Sequence, residues 1–266
     1  MKESLNIKNY ITGYDIPTII DIPMNSKNII IMCHGFGGSK ENSISKLIAQ
    51  MILNKNIGVV AFDFPLHGES KAKINEFTVE NCVTDINVIR NFVKKNFPKK
   101  DISLLATSFG GYIAINSFLN GNVFYKYVIL RSPAVNMKDV LRNSLLKDNF
   151  SEYQRNGIAR MGRNGKMQVT YEFYRDLLKN DILKSNKELK QKMLIFHGTD
   201  DDTALISDTE TFTKLNSNVA KLIKIPGENH KMKIENIEKI IGASIKCIKE
   251  NEIKKESIEE RWMYKL

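Results

Sequence analysis

The chain has 266 residues, of which 42% are hydrophobic and 26% are charged. This balance is typical of folded globular proteins and excludes a disordered or fibrous chain. The net charge of +10 raises the question of nucleic-acid binding, but 32 of the 40 basic residues are lysines spread along the whole chain. Bidentate recognition of phosphates and bases favours arginine, so we predict no nucleic-acid partner.

Cysteine content and hydropathy restrict the location and the cofactors. The three cysteines are odd in number and far apart, which predicts neither a disulfide framework nor a zinc site. No apolar run reaches the ~18 residues of a membrane span, and the first ten residues lack the apolar segment of a signal peptide. We expect a cytoplasmic monomer or homodimer without membrane insertion, with no metal and no cofactor.

Apolar runs rich in Ile and Val alternate with longer segments of helical periodicity. The predicted buried strands are residues 28–33, 57–62, 101–106, 123–130, 192–196 and 221–225. The predicted helices are residues 43–53, 79–97, 110–119, 207–215 and 234–249. This alternation predicts an α/β fold with a doubly wound, mostly parallel sheet. About the first 25 residues form an antiparallel lead-in, which Pro17 and Pro23 are expected to confine to the sheet edge.

One long stretch interrupts the alternation. The segment between the predicted strands 123–130 and 192–196 contains no convincing buried strand. Its length of roughly 55 residues is too great for a plain connection between two strands. We therefore predict an inserted helical lid or cap at residues 133–190. The core domain then comprises residues 1–132 and 191–266.

A serine motif follows the third of the predicted strands. Ser108 has Ala106 two residues before it and Gly110 two residues after it, and the segment leads into a helix. A sharp strand-to-helix turn exposes a serine hydroxyl and requires small residues at these two positions. The motif predicts a nucleophile elbow, and a serine that merely caps the helix is the alternative.

A glycine-rich segment follows the first predicted strand, in the sequence His34-Gly-Phe-Gly-Gly. Glycines after a strand allow backbone N–H groups to point into a site, as in an oxyanion hole. The expected donors are the N–H groups of Phe36 and of Phe109, which follows the nucleophile. A phosphate-binding loop is the rival interpretation, but neither glycine-rich phosphate pattern is present.

Two further motifs follow the last two predicted strands. The first is His-Gly-Thr-Asp-Asp-Asp, in which Asp200, Asp201 and Asp202 are all candidates for the carboxylate that orients a catalytic imidazole. The second ends at His230, before the last helix. Serine, then aspartate, then histidine is the chain order of one of the known triad arrangements, so we predict a catalytic triad.

These motifs together resemble the α/β-hydrolase family, over about residues 7–249. The glycine-rich segment, the loop at residues 63–70, the Ser108 elbow and the His-Gly-Thr-Asp-Asp turn are similar to those of bacterial cinnamoyl and feruloyl esterases and serine aminopeptidase-like hydrolases. The resemblance implies an α/β-hydrolase fold and identifies Asp201 as the triad acid. It also implies that the loop at residues 63–70 borders the site, where Asp63 binds backbone amides and His67 braces the oxyanion loop.

The expected activity is therefore hydrolysis of a small or medium carboxylic ester by a Ser-His-Asp triad through an acyl-enzyme. His34, Gly35 and His67 are candidate substrate contacts, and the small-molecule ester is the expected partner. A peptidase or thioesterase of the same fold, or a non-enzymatic binding module, are the alternatives. Haloalkane dehalogenase chemistry is disfavoured because the elbow carries serine and not aspartate.

Overall fold

The computed structural model describes residues 2–121, 123–162, 165 and 167–250. Its main sheet has eight strands: β1 (Lys2–Lys8), β2 (Asp15–Asp21), β3 (Asn28–Cys33), β4 (Gly58–Phe62), β5 (Asp101–Thr107), β6 (Val128–Arg131), β9 (Met193–Gly198) and β10 (Ala220–Ile225). The principal helices of the core are α1 (Ser43–Leu53), α2 (Val79–Asn96), α3 (Phe109–Asn120), α7 (Ile206–Leu215) and α8 (Ile234–Glu250). Residues 251–266, which the prediction included in the core domain, lie outside the described residues.

The strands lie in the order β1-β2-β4-β3-β5-β6-β9-β10. β2 pairs antiparallel with β1 and with β4, and every other neighbouring pair is parallel. The predicted fold class, an α/β-hydrolase fold with a mostly parallel sheet, is thereby confirmed. The carboxyl ends of β3, β5, β9 and β10 carry the four motifs, and parallel strands bring those ends to one edge.

Alternate residues of each central strand face opposite layers. In β3, Ile29 and Ile31 join the core beneath α2 and α3, whereas Ile30 and Met32 join the core beneath α1 and α8. All four side chains are at most 6% exposed. Strands covered on both faces therefore give continuous apolar runs, which is why the sequence revealed them.

The strand before the insertion is shorter than predicted. Residues 123–127 were expected in it, but β6 begins at Val128. The backbone N–H and carbonyl of Tyr125 are hydrogen bonded to the side chain of Gln191, at 2.8 and 3.2 Å, and not to a neighbouring strand. At Tyr125 a contact between residues 66 positions apart replaces the sheet ladder. The ladder with β5 begins at Lys126, whose N–H donates to the carbonyl of Ile102 at 2.8 Å.

The antiparallel lead-in forms one edge of the sheet, as predicted, although Pro17 does not lie on its outermost strand. β1 is the edge strand, and β2, which contains Pro17, lies between β1 and β4. The carbonyl of Pro17 accepts the N–H of Asp63, just beyond the end of β4. Because the N and O atoms of a strand residue point to the same side, the missing N–H of Pro17 also faces this end. The proline therefore removes at most one terminal hydrogen bond.

An insertion separates β6 from β9. It contains the short helix α4 (Met137–Asp139), which runs into a π-helical turn (Val140–Leu145), and the helices α5 (Phe150–Asn156) and α6 (Tyr171–Lys179). It also contains an antiparallel hairpin of β7 (Ile158–Met161) and β8 (Met167–Thr170), which the prediction of an all-helical insertion missed. These strands have only four residues each with mixed exposure, so they lack the signal of a buried strand.

The insertion packs closely on the core. Phe173 of α6 stacks on Phe77, with ring centroids 4.2 Å apart, and contacts Phe36 and Phe109 edge-on or tilted at 6.2–6.4 Å. The role of the insertion as a lid stays a prediction. Within the described ranges, no helix has both the length and the apolar character needed to cross a bilayer.

Candidate active site

The elbow at Ser108 has a strained backbone. Ser108 lies between β5 and α3 with φ 51° and ψ −116°, a left-handed conformation that is costly for a residue with a side chain. A Cβ atom at Gly110 would lie 2.6 Å from the carbonyl oxygen of His34, so only glycine fits there. Such strain persists only where the surrounding structure holds it, and here it places Ser108, which is 7% exposed, against a cavity beyond the carboxyl end of β5.

Ser108, His230 and Asp201 form one hydrogen-bonded chain. The Oγ of Ser108 lies 2.9 Å from Nε2 of His230, and Nδ1 of His230 lies 2.8 Å from Oδ2 of Asp201. If Nδ1 carries the ring proton and donates it to the carboxylate, Nε2 is left free to accept the serine proton. The structure thus brings together three residues that are separated by 93 and 29 positions in the sequence, in contacts typical of a catalytic triad.

The environment of the three aspartates distinguishes Asp201 from its neighbours. Asp200 and Asp202 are exposed, whereas Asp201 is 4% exposed. Its Oδ1 accepts the N–H groups of Thr203 and Ala204 at 3.0 and 2.9 Å. Asp201 alone of the three contacts His230, so its geometry matches the acid that the family resemblance implies.

A second imidazole, that of His197, also contacts Asp201. Its Nε2 lies 3.0 Å from Oδ2 of Asp201 and 2.7 Å from the carbonyl oxygen of Ala204, and the ring is fully buried. Burial opposes ionisation of Asp201, but hydrogen bonds from His197 and His230 outweigh it and hold the pKa of Asp201 well below its ordinary value. Asp201 is therefore a permanent anion beside His230. The sequence contained His197 within its motif but gave no sign of this contact.

The backbone joins the aspartate turn to the histidine loop. The N–H of Asp200 donates to the carbonyl of Glu228 at 2.9 Å, and a Cβ atom at Gly198 would lie 2.1 Å from that same oxygen. Glycine at position 198 therefore permits the contact that sets the distance between Asp201 and His230.

The two expected oxyanion donors lie beside the nucleophile. Phe109 is the first residue of α3, where an N–H has no intrahelical acceptor. The N–H of Phe36 likewise has no hydrogen-bond partner among the residues that the structure describes. A Cβ atom at Gly35 would lie 3.3 Å from Cβ of Ser108, so the glycine-rich loop is in contact with the elbow. Both amides are thus available for a ligand, and their role as an oxyanion hole stays a prediction.

Two buried histidines hold the glycine-rich loop and the loop at residues 63–70 together. The N–H of Gly37 donates to Nε2 of His67 at 2.9 Å, and the N–H of Phe64 donates to Nε2 of His34 at 3.2 Å. The Nδ1 atoms lie 2.8–2.9 Å from the carbonyl oxygens of Pro65 and of Gly35 respectively. Each loop therefore supplies an imidazole that accepts an amide of the other.

These contacts fix the protonation state of both rings. Burial lowers the pKa of His34 to about 4, and burial together with the neighbouring His34 lowers the pKa of His67 to about 3. Both rings are neutral at pH 7 and have both nitrogens hydrogen bonded. This favours the bracing role for His67 over the predicted substrate contact. Substrate contacts of His34 and Gly35 stay predictions.

A cavity of about 210 Å³ opens beside Ser108. Its walls come from the glycine-rich loop, from Ile44 and Ile48 on the α1 side, from His230 and from Arg131 at the end of β6. No described residue of the insertion lines it. Among the described residues, no cluster of His, Cys, Asp or Glu is placed to bind a metal ion.

No sequence motif pointed to Arg131, although this residue contacts the histidine loop directly. Its Nη1 donates to the carbonyl oxygens of His230 and Lys231 at 3.3 and 3.2 Å, and its own carbonyl accepts the N–H of Ser108 at 3.0 Å. An arginine at the end of a buried strand was the available signal. Its partner loop, 99 residues away, could not be inferred from it.

Comparisons with known proteins agree with this geometry. A family model described as serine aminopeptidase, S33, matches residues 24–156, which is half of the chain. The uncharacterized protein R595 of Acanthamoeba polyphaga mimivirus is 27% identical over 146 residues, or 52% of this chain. That match covers 49% of R595, so the chain spans about half the length of this curated relative.

Solved structures share the whole fold. Est1E from Butyrivibrio proteoclasticus, with ferulic acid bound, is similar with a TM-score of 0.75 at 21% identity, over 89% of this chain and 96% of Est1E. The Pyrococcus furiosus esterase Pf2001 is similar with a TM-score of 0.70 at 16% identity, over 94% of this chain and 92% of the esterase. At these identities the likeness shows the fold, and activity has to be argued from the site.

Proposed function

We propose that this chain, which belongs to the serine aminopeptidase S33 family of α/β hydrolases, is a serine carboxylesterase acting on small or medium esters. Ser108 is the nucleophile, His230 the general base and Asp201 the acid that orients the imidazole. The N–H groups of Phe36 and Phe109 bind the oxyanion. The observation that carries this proposal is the unbroken hydrogen-bonded chain from Asp201 through His230 to Ser108, with links of 2.8 and 2.9 Å.

The first half of the reaction forms the acyl-enzyme. Oγ of Ser108 attacks the ester carbonyl carbon while its proton passes to Nε2 of His230, and the carbonyl electron pair moves onto oxygen. Each amide donor to that oxygen contributes about 3–4 kcal/mol of transition-state stabilisation. The tetrahedral adduct then expels the alcohol, which takes the proton from His230.

The second half repeats these steps with water. His230 accepts a proton from water as the hydroxide attacks the acyl carbon, and Ser108 leaves with that proton restored. Because Asp201 is ionised throughout, it stabilises the imidazolium that forms in both halves. The enzyme returns to its starting state without another reactant.

An ester is favoured over a peptide by the charges of the cavity. An aminopeptidase has to bind the free α-ammonium group of its substrate, for which a carboxylate is the fitting partner. No described Asp or Glu lines the cavity beside Ser108, whereas Lys40, Arg131 and Lys231 do. The ferulic acid bound to Est1E and the esterase activity in the name of Pf2001 also favour an ester.

A fluorophosphonate probe with intact-mass detection tests the nucleophile. We expect one adduct on the wild type and none on Ser108→Ala. Ser103→Ala is the matched control, because Ser103 lies on the same strand with a buried hydroxyl that has no partner among the described residues. Its labelling should equal that of the wild type.

Substrate assays then test the reaction type. We expect p-nitrophenyl esters to be cleaved with an optimum at short acyl chains, and amino-acid p-nitroanilides and acyl thioesters to react more slowly. Faster cleavage of an anilide or of a thioester would assign the peptidase or the thioesterase instead. Folded wild-type protein that neither takes up the probe nor cleaves any of these substrates would refute the proposal and favour a binding module.

A further inference from the structure

Arg131 has unused hydrogen-bonding capacity beside the nucleophile. Its side chain lines the same cavity as Ser108, and the residue is only 7% exposed. Of the guanidinium nitrogens, Nη1 bonds the carbonyls of His230 and Lys231. Nε is buried and has no partner among the described residues. A buried cationic donor without an acceptor is unfavourable, so the guanidinium has capacity for a further acceptor.

Asp201 does not meet that need. It lies close enough to raise the pKa of Arg131, while burial lowers that pKa to about 10, so the guanidinium stays charged at pH 7. The carboxylate oxygens of Asp201, however, accept hydrogen bonds from His230, His197 and two backbone amides. None of its described hydrogen bonds comes from Arg131.

The remaining charges of the cavity have the same sign. Lys231 is exposed and also lines the cavity. Lys40 lines it too, but its ammonium group is paired with Asp63 and Glu69. With no acidic side chain among the described lining residues, Arg131 and Lys231 give the cavity a positive potential that attracts anions.

We infer that Arg131 recognises an anionic group of the substrate, and that the preferred ester carries a carboxylate on the portion that enters this cavity. A guanidinium donates charge-assisted hydrogen bonds to a carboxylate, which makes arginine a fitting partner for an anionic substrate group. The cavity, with a volume of about 210 Å³, is sized for a small substrate portion. This inference rests on the proposed esterase function and specifies its substrate class.

Two matched ester pairs test the inference and locate the charge. Monomethyl succinate and methyl levulinate have nearly the same shape and differ by a carboxylate on the acyl side. Acetoxyacetate and acetoxyacetone differ in the same way on the alcohol side. Acid release in a pH-stat at pH 7.5 gives kcat/KM for each. For the wild type we expect at least one anionic ester to exceed its neutral partner on the order of tenfold, a preference that weakens with added salt.

Four variants separate recognition from loop support. Arg131→Met should abolish the preference, mainly through KM, whereas Arg131→Lys should keep part of it because a cation remains. Lys231→Met should reduce the preference a few-fold. Lys233→Met is the control, since this exposed lysine does not line the cavity, and it should leave the preference unchanged. Using the ratio within each pair cancels any loss common to both esters.

Two results would overturn the inference while leaving the esterase intact. One is a wild type that cleaves the neutral member of each pair at least as fast as the anionic one. The other is an Arg131→Met protein that loses equal activity on both members, which would restrict Arg131 to holding the His230 loop. If no ester is cleaved and no probe is taken up, the proposed function fails. Calorimetric titration of succinate then decides the anion site: wild-type binding that Arg131→Met abolishes supports it, and no binding refutes it.

Discussion

Asp63 provides a strong test of how the loop at residues 63–70 is held against the segment that follows the glycine-rich loop. Its carboxylate is buried, with Oδ1 accepting the backbone N–H of Lys40 at 2.7 Å and Oδ2 accepting the N–H of Glu69 at 2.9 Å. Oδ2 also accepts the Lys40 ammonium at 2.7 Å, with the two side chains 0% and 1% exposed. The substitution Asp63→Asn keeps the shape but removes the charge and one acceptor oxygen.

The expected loss of stability follows from these contacts. Breaking a buried ion pair costs about 3–5 kcal/mol, because the remaining charge stays buried without its partner. Glu69 still contacts the Lys40 ammonium, which favours the lower end of that range. The amide of asparagine can accept only one of the two backbone N–H groups, which adds about 1 kcal/mol or more. We therefore expect Asp63→Asn to lower the free energy of unfolding by about 4 kcal/mol or more.

A surface pair supplies the matched control. Asp101 pairs with Lys126 at 2.6 Å, but these side chains are 51% and 31% exposed, so Asp101→Asn should cost less than about 1 kcal/mol. Urea unfolding of both variants at pH 7, followed by circular dichroism, measures the two losses. Similar small losses for Asp63→Asn and Asp101→Asn would refute the reasoning, because the buried pair would then be worth no more than the exposed one.

Three further substitutions test the triad, a buried acid and the insertion. Asp201→Asn should lower kcat on p-nitrophenyl esters by about 10³–10⁴-fold, because the amide no longer fixes the tautomer of His230. A loss below about tenfold would exclude Asp201 as the triad acid. Burial raises the pKa of Asp85 to about 7 against hydrogen bonds from Asn9 and Tyr14, so the folded state retains a proton that the unfolded chain releases near pH 4. The free energy of unfolding should therefore fall as the pH rises from 5 to 7. Because asparagine resembles the neutral acid, Asp85→Asn should remove about 2 kcal/mol of that fall when denaturation at pH 5 and pH 8 is compared. Parallel pH profiles of the wild type and the variant would contradict the raised pKa of Asp85. Phe173→Ala should lower the free energy of unfolding in urea by about 3–5 kcal/mol, because it leaves a cavity under the insertion. Leu178→Ala on the same helix should cost far less, because that side chain is 48% exposed. Equal costs would show that Phe173 does not anchor the insertion.

Local patterns in the sequence were sufficient to predict most of the sheet and the nucleophile elbow. Strand β3 and helix α1 have the predicted bounds, because a continuous apolar run and a helical period are set by adjacent residues. The elbow was predictable for the same reason, since Ala106 and Gly110 reveal a crowded turn within five residues. The hairpin of the insertion was not, because short and partly exposed strands carry no such pattern.

Contacts between distant residues account for what the sequence did not reveal. Three consecutive aspartates were equivalent until the fold placed only Asp201 against His230. The extra contact of His197 with that carboxylate and the hydrogen bonds of Arg131 to the histidine loop also join separate motifs. Family resemblance pointed to Asp201, the aspartate that contacts His230, but carried no information about Arg131.

The end of β6 links Ser108, His230 and the insertion. The carbonyl of Arg131 accepts the N–H of Ser108, and the N–H of Ala134 donates to the carbonyl of Ser108 at 3.1 Å, so residues on both sides of this strand end hold the strained elbow. The guanidinium of Arg131 binds the loop that carries His230. The insertion begins immediately after this strand, so a rearrangement of its first residues would change the backbone that holds the elbow. Proton transfer between Ser108 and His230 requires a heavy-atom distance of ≈ 2.6–3.2 Å. A rearrangement that changed this distance would alter catalysis without contacting the substrate. We therefore expect substitutions at Ala134 to change kcat more than KM.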